Sequence, residues 1–280
     1  MSVFATSAPI VGAAADGARS KDTAPVHIGA HRIGPDTFTV IAGPCSVTCF
    51  EQTLRVAETV KQAGATMFRG GAFKPRSDPR SFQGLAELGL AMLLEAKAAT
   101  GLMIVTEVLD VRDLDLVLTV ADVVQVGARN MQNTGLLREL GRAGCPVLLK
   151  RGLAATIDET IGAAEYIRGE GNDDVLLCER GIRTFESRYR FSLDLTAVPI
   201  LQERSGLPVL VDPSHAPGRR DLVLRLSKAA AAVGADGLIV EVDESPDDAL
   251  SDGPQQLSSD VFADYMREVR RIAAGEGRAT

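Results

Sequence analysis

Eight side chains stand at or just beyond the ends of eight short apolar runs: Cys45, Arg69, Glu107, Arg129, Lys150, Arg180, His215 and Glu241. Buried strands tolerate ionisable groups poorly unless those groups are paired or ligated, so their recurrence at one end of every run marks a site. They sort into two chemistries. Arg69, Arg129, Lys150 and Arg180, joined by Lys74 and Arg76, concentrate positive charge in one place. Such a cluster suits small, highly anionic ligands, most simply phosphates and a carboxylate, because Arg pairs with them bidentately and Lys supplies a point charge. A network of ion pairs with neighbouring Asp and Glu is the alternative. The second set is Cys45, His215 and Glu241, with Asp252 from the loop beyond the last run. Thiolate, imidazole and carboxylate together suit one divalent transition metal such as Mn, Fe, Co or Zn. The close-paired cysteine spacing of a structural zinc site is absent. For His215 the competing reading is a loop histidine bonded to backbone, and for Asp252 a turn residue before Gly253. His27 and His31 read as surface residues.

The elements that must position these groups are legible as runs and intervals. The runs are Thr39–Gly43, Thr66–Gly70, Met103–Val108, Val123–Gly127, Val147–Arg151, Val175–Gly181, Val209–Pro213 and Gly237–Val242. Each is nearly continuously apolar, as parallel strands covered on both faces are. The intervals have helical character. Phe50–Ala63 places Leu54, Val56, Ala57, Val60 and Ala63 on one stripe, and Gly84–Thr100 and Leu222–Val233 are rich in Ala and Leu. Thr156–Arg168 opens on a capping-box pair, Thr156 and Glu159. Eight strand–helix units in one chain predict an α/β fold of the (β/α)8 TIM-barrel type, whose active sites lie at the C-terminal ends of the strands. A doubly wound open sheet is the runner-up, but no Gly-rich dinucleotide fingerprint follows the first strand. Val26–Phe38 reads as a short hairpin ahead of the barrel. The expected organisation is a loose tail over 1–25, one barrel over 26–272 and a C-terminal tail over 273–280.

Composition narrows the partners. The 280 residues are 45% hydrophobic and 24% charged, which excludes a largely disordered chain. Aromatic residues make up 4% with no Trp, against a base-stacking platform for single-stranded nucleic acid. Lys plus Arg number 30 against 37 Asp plus Glu, a net charge of −7, so no general attraction for nucleic acid or anionic membrane is expected. No apolar run reaches the ~18 residues of a membrane span, and the N-terminus is a poor secretory signal. Four scattered cysteines do not make a disulfide scaffold. A cytoplasmic globular protein is expected.

The ordered motifs IAGPCSV (41–47), RGGAFKPRS (69–77), SFQGL (81–85), VQVGARNMQN (124–133) and LLKRG (148–152) resemble 3-deoxy-7-phosphoheptulonate synthases of the short type I beta branch. So do CERGIRTFE (178–186), LDLTAVP (193–199), VDPSHAPGRRDLV (211–223), IVEV (239–242) and ALSDGPQ (249–255). The resemblance runs from about residue 26 to 270. It implies a barrel enzyme condensing phosphoenolpyruvate with erythrose 4-phosphate at the head of the shikimate pathway, commonly as a homo-oligomer, tetramer or dimer. It further implies a metal held by Cys45, His215, Glu241 and Asp252. Phosphoenolpyruvate would be gripped by Arg69, Lys74, Ala128 through its backbone, Arg129, Lys150 and Arg180. The aldose phosphate would meet the loop Lys74, Pro75, Arg76 and Ser77. Lys74 is the expected proton donor, with a metal-bound water as the other candidate, and Glu107 is the group that helps orient water. In metal-free protein a Cys45–Cys49 disulfide is conceivable.

The related 3-deoxy-D-manno-octulosonate-8-phosphate synthases typically carry KANRS in the corresponding loop, whereas KPRS (74–77) favours the four-carbon aldose. Three departures from the family pattern stand out: Ser77 for the usual Thr, Thr48 for an acidic residue, and YRFSLD (189–194) for TRNTLD. Phe191 in place of Asn removes a polar group near the substrate end of the sixth strand and keeps another sugar phosphate, or a specialised pathway, open as the alternative. The third reading is a non-catalytic barrel serving as a binding subunit. The stretches before the first strand and after the last helix read as too short for the regulatory piece that the branch often carries, so unless a partner protein supplies regulation, weak or no feedback inhibition by aromatic amino acids is expected.

Overall fold

The computed structural model describes residues 23–76 and 78–280. A two-stranded antiparallel hairpin, β1 (Val26–Ile28) and β2 (His31–Ile33), opens the chain with Val26 opposite Ile33. Eight parallel strands follow: β3 (Thr39–Gly43), β4 (Met67–Arg69), β5 (Met103–Glu107), β6 (Val123–Val126), β7 (Val147–Lys150), β8 (Val175–Glu179), β9 (Val209–Val211) and β10 (Gly237–Asp243). Neighbours pair in sequence order, and β10 pairs with both β9 and β3, which closes the barrel. The α/β (β/α)8 expectation holds. A helix follows every strand: α1 (Phe50–Gln62), α2 (Glu87–Thr100), α3 (Leu114–Leu118), α4 (Thr134–Ala143), α5 (Ile157–Arg168), α6 (Ala197–Ser205), α7 (Arg220–Ala232) and α8 (Phe262–Gly275). A short strand β11 (Leu257–Ser258) extends the sheet beside β10.

Strand alternation divides the core in two. Val40, Phe68, Ile104, Val124 and Leu149 face outward into the layer shared with the helices. Ile41, Met67, Val105, Val123, Leu148, Leu176, Leu210 and Ile239 face inward and fill the barrel. Val26, Ile28 and Ile33 of the hairpin join that inner cluster, so the hairpin plugs the barrel from below.

Local details differ from the sequence reading for identifiable reasons. The buried stripe of α1 is Thr53, Val56, Ala57 and Val60, with Leu54 only half-buried. Thr53 is accommodated because its hydroxyl donates to the Cys49 carbonyl. Helix α2 begins at Glu87 rather than Gly84, because Gly84 is bridged to Phe73 in the loop that overhangs the site. The capping box of α5 is present, Thr156 and Glu159 each bonding the other's backbone. His27 is exposed, but His31 is half-buried and hydrogen-bonds Thr39 Oγ1 at 3.2 Å, because the hairpin lies against the barrel. Most of the expected N-terminal tail lies outside the described residues; Ala24, within it, donates its N–H to the Gly206 carbonyl. The expected C-terminal tail docks: Arg278 is buried and pairs with Asp236 at 3.0 Å.

Candidate active site

Seven of the eight strands carry an inward apolar residue, and the residue two positions later is polar. Met67, Val105, Val123, Leu148, Cys178, Leu210 and Ile239 are followed by Arg69, Glu107, Gln125, Lys150, Arg180, Asp212 and Glu241. A period of two places all seven on the inner face, one layer above the core, at the C-terminal mouth. All are buried.

On one side of the mouth the ligand atoms of Cys45, His215, Glu241 and Asp252 lie within 4.8 Å of one another. Cys45 Sγ is 3.2 Å from Asp252 Oδ2, and His215 Nε2 is 3.2 Å from Glu241 Oε1 and 3.9 Å from Asp252 Oδ2. Separations of about 3–4 Å suit donors that share a metal at bond lengths near 2.0–2.3 Å. Three of the four donors stand ready for a cation without losing a proton, and Cys45 is the exception. His215 Nδ1 lies 2.7 Å from the Asp212 carboxylate, which takes its N–H and leaves the Nε2 lone pair facing the other donors. Burial holds the His215 ring below its ordinary pKa, so it is neutral at neutral pH. Burial pushes the Cys45 thiol up to about 12. Glu241 and Asp252 are held below the usual carboxylate range by His215 and by cations around them, against the opposing effect of burial. Lone pairs aimed at one point repel unless a positive charge sits among them. Asp252 also opens the turn before Gly253, with φ +52°, a conformation Asp tolerates.

On the other side lies a cavity of about 270 Å³. Arg69, Lys74, Arg76, Arg129, Lys150, Arg180 and Arg190 line it, against the carboxylates Asp78, Glu107 and Asp252. Beneath the lining, Arg69 pairs with Glu241 at 3.0 Å and Lys150 with Asp212 at 2.5 Å. The ion-pair alternative is therefore met for those two cations, yet Arg69 Nε and Arg180 Nη1 remain buried without a partner. Buried guanidinium N–H groups of this kind call for an acceptor. Lys74 Nζ bridges the two halves, 3.1 Å from the Cys45 carbonyl and 3.0 Å from its sulfur. Glu107 accepts from Gln125 Nε2 at 2.9 Å through Oε2, while its Oε1 is buried and unpartnered. Gly127 permits that placement, since a Cβ there would lie 2.1 Å from Glu107 Oε1.

Pro75 and Ala128 also line the cavity, whereas Ser77 lies outside the described residues. The two cysteines proposed for a disulfide are free and differently engaged. Cys45 is buried against Lys74 and Asp252, and Cys49 is exposed with its thiol on Glu51. Joining them requires both thiols to leave these partners.

Several groups escaped the sequence reading. Asp212 orients both His215 and Lys150, and the segment DPSH held the signal, an acid three residues before the histidine. Gln255 donates to Glu241 Oε2, and Gln256 accepts the Cys45 N–H at 2.9 Å. Arg190 reaches Asp252 Oδ1 and Gln255 Oε1, each at 3.2 Å. Phe191, which the sequence does single out near the substrate end of the sixth strand, forms part of the cavity wall. No helix among the described residues is long and apolar enough to cross a membrane.

Residues 19–273 match the DAHP synthetase I family. The chain is 50% identical over 252 residues to the phospho-2-dehydro-3-deoxyheptonate aldolase of Thermotoga maritima, covering 90% of this chain and 75% of that protein. It is 35% identical over 258 residues to the 2-dehydro-3-deoxyphosphooctonate aldolase of Syntrophobacter fumaroxidans, covering 86% and 88%. Among solved structures, the Thermotoga maritima DAHP synthase superimposes with a TM-score of 0.88 at 49% identity, covering 91% of this chain and 75% of that one. A truncated form of the Thermotoga 3-deoxy-D-arabino-heptulosonate 7-phosphate synthase gives 0.85 at 46%, covering 91% and 94%.

Proposed function

This chain belongs to the DAHP synthetase I family, and we propose that it condenses phosphoenolpyruvate with D-erythrose 4-phosphate and water to 3-deoxy-D-arabino-heptulosonate 7-phosphate and phosphate. The observation that carries the reading is one bowl that joins a four-donor metal cluster to a cavity lined by seven cationic side chains.

The reaction forms a carbon–carbon bond between C3 of an enol phosphate and an aldehyde carbon. Phosphoenolpyruvate carries about three negative charges and the aldose phosphate about two, so their approach in water is opposed electrostatically. Arg69, Lys74, Arg129, Lys150 and Arg180, with the Ala128 backbone, would hold the phosphoenolpyruvate carboxylate and phosphate. Lys74, Pro75, Arg76 and Ser77 would receive the aldose phosphate. Fixing both anions in attack geometry replaces a repulsive encounter by a positioned one. A divalent metal held by Cys45, His215, Glu241 and Asp252 would supply Lewis-acid polarisation of the aldehyde. Lys74 Nζ, 3.0 Å from the Cys45 sulfur, stands beside that cluster and is placed to protonate the new alkoxide. Positive character then develops at C2, and water adds there. Glu107, in the cavity lining, is the carboxylate available to orient that water. The hemiketal phosphate formed by this addition expels inorganic phosphate.

Phosphate release from phosphoenolpyruvate with Mn²⁺, comparing erythrose 4-phosphate, arabinose 5-phosphate and no aldehyde, tests the reading. Turnover with erythrose 4-phosphate alone, abolished by a chelator, is expected. The second reading, another sugar phosphate as acceptor, rests on Phe191 in the cavity wall, and preference for arabinose 5-phosphate or failure with both aldoses despite bound metal would favour it.

A further inference from the structure

Four arginines are buried among the described residues: Arg69, Arg151, Arg180 and Arg278. Arg69, Arg151 and Arg278 each pair with a buried carboxylate, Glu241, Glu179 and Asp236 respectively. Among the described residues no carboxylate pairs with Arg180. Its guanidinium instead lies over the Phe191 ring, 4.7 Å from Cζ to the centroid. The Arg190 guanidinium lies over the same ring at 5.6 Å, and Arg190 in turn holds Asp252. Resting on the reading that this cavity binds phosphoenolpyruvate, we propose that Phe191 is a positioning residue for that anion. Its ring carries Arg180 without neutralising it and joins the anion side of the bowl to the donor-cluster side through Arg190.

The backbone is built to hold the ring there. Phe191 N–H donates to the Ala216 carbonyl at 2.7 Å, and Arg190 N–H to that of Pro217 at 3.1 Å. Ser192 and Ile182 exchange a reciprocal pair of bonds. The Phe191 and Arg190 bonds tie the loop after β8, which carries Arg180, to the loop after β9, which carries His215, and the Ser192–Ile182 pair folds the first loop back on itself. Gly181, at φ +100°, admits the ring closely, since a Cβ there would lie 2.8 Å from Phe191 Cβ.

The chemistry explains an aromatic group at this point. A carboxylate under Arg180 would orient it but cancel the charge that an anion must meet. An aromatic face attracts the cation through its quadrupole and leaves the charge intact. Burial and the like charges of Arg190 and Arg129 press the guanidinium toward its neutral form, with Asp212 opposing, so the site gains when an anion arrives. Cation–π attraction of ordinary strength corresponds to about two- to thirtyfold in binding.

The test is a fluorination series at Phe191, which weakens the ring quadrupole at nearly constant shape, alongside Phe191→Leu and Phe191→Trp in the full-length, Mn²⁺-loaded chain. Phosphoenolpyruvate binding is read by calorimetry, and phosphate release supplies KM and kcat. We expect the dissociation constant and KM for phosphoenolpyruvate to rise stepwise with each added fluorine, reaching about tenfold in the perfluorinated ring. Leu should match that loss, Trp should restore affinity to within about threefold, and kcat should move much less than KM. Binding that ignores the fluorine number overturns the inference, even if Leu proves unstable, because the fluorinated rings preserve packing. Wild-type chain that neither binds nor turns over phosphoenolpyruvate would overturn the underlying reading, and this inference with it.

Discussion

Loading the metal-free chain with Mn²⁺ should displace one proton, and that proton should come from Cys45. The thiol is wholly buried, and burial together with Glu241 raises its pKa to about 12. Ionising it at pH 7 therefore costs about 7 kcal/mol, which metal coordination must offset. The other three donors need no deprotonation at neutral pH: His215 is held below its ordinary pKa, and the Glu241 and Asp252 carboxyls are held below theirs. Because the thiol titrates far above the working range, the apparent association constant should rise about tenfold per pH unit between pH 7 and 9. Calorimetric titration at one pH, in buffers of different ionisation enthalpy, counts the released protons directly. About one is expected for the wild type, and none for Cys45→Ser, which should also bind more weakly. PH-independent binding with no proton release, or the same proton count in Cys45→Ser, would refute the assignment of Cys45 as a ligand.

Three further outcomes follow from named contacts. Asp212→Asn takes the counter-charge from the buried Lys150 and the orienting acceptor from His215 Nδ1, and metal affinity in a calorimetric titration should fall about 10–100-fold. Gly127→Ala drives a Cβ to within 2.1 Å of Glu107 Oε1, so kcat for phosphate release should drop sharply while circular dichroism stays native. Arg278→Met leaves Asp236 buried without its ion-pair partner at the base of the barrel and should destabilise by about 3–5 kcal/mol in urea unfolding, with KM at 25 °C unchanged.

The barrel was readable because its strands are buried on both faces and appear as apolar runs; Thr39–Gly43 matches its strand at both ends. Most of the other runs stop a residue or two sooner than expected, as at Val147–Lys150 for 147–151, because the chain leaves the ladder to enter the loop that carries the site. Arg69, Glu107, Lys150, Arg180 and Glu241 were also readable, since each is a polar residue ending an apolar run. Asp212 obeys the same rule but stands one residue past its strand, in DPSH, where His215 is the residue whose own chemistry is evident.

What the sequence determined by itself was periodicity: strands, helices, the capping box and the parity that turns each terminal polar residue toward one mouth. These depend on neighbours within a few positions, where backbone geometry dictates the outcome. Tertiary structure alone decided the pairings. Arg69 meets Glu241 172 positions away, Asp212 fixes the tautomer of His215, and Phe191 lies beneath two guanidinium groups rather than merely replacing a polar side chain. Closure of β10 on β3 makes such meetings possible, and chain-local propensities carry no record of which residues a closed sheet will bring face to face.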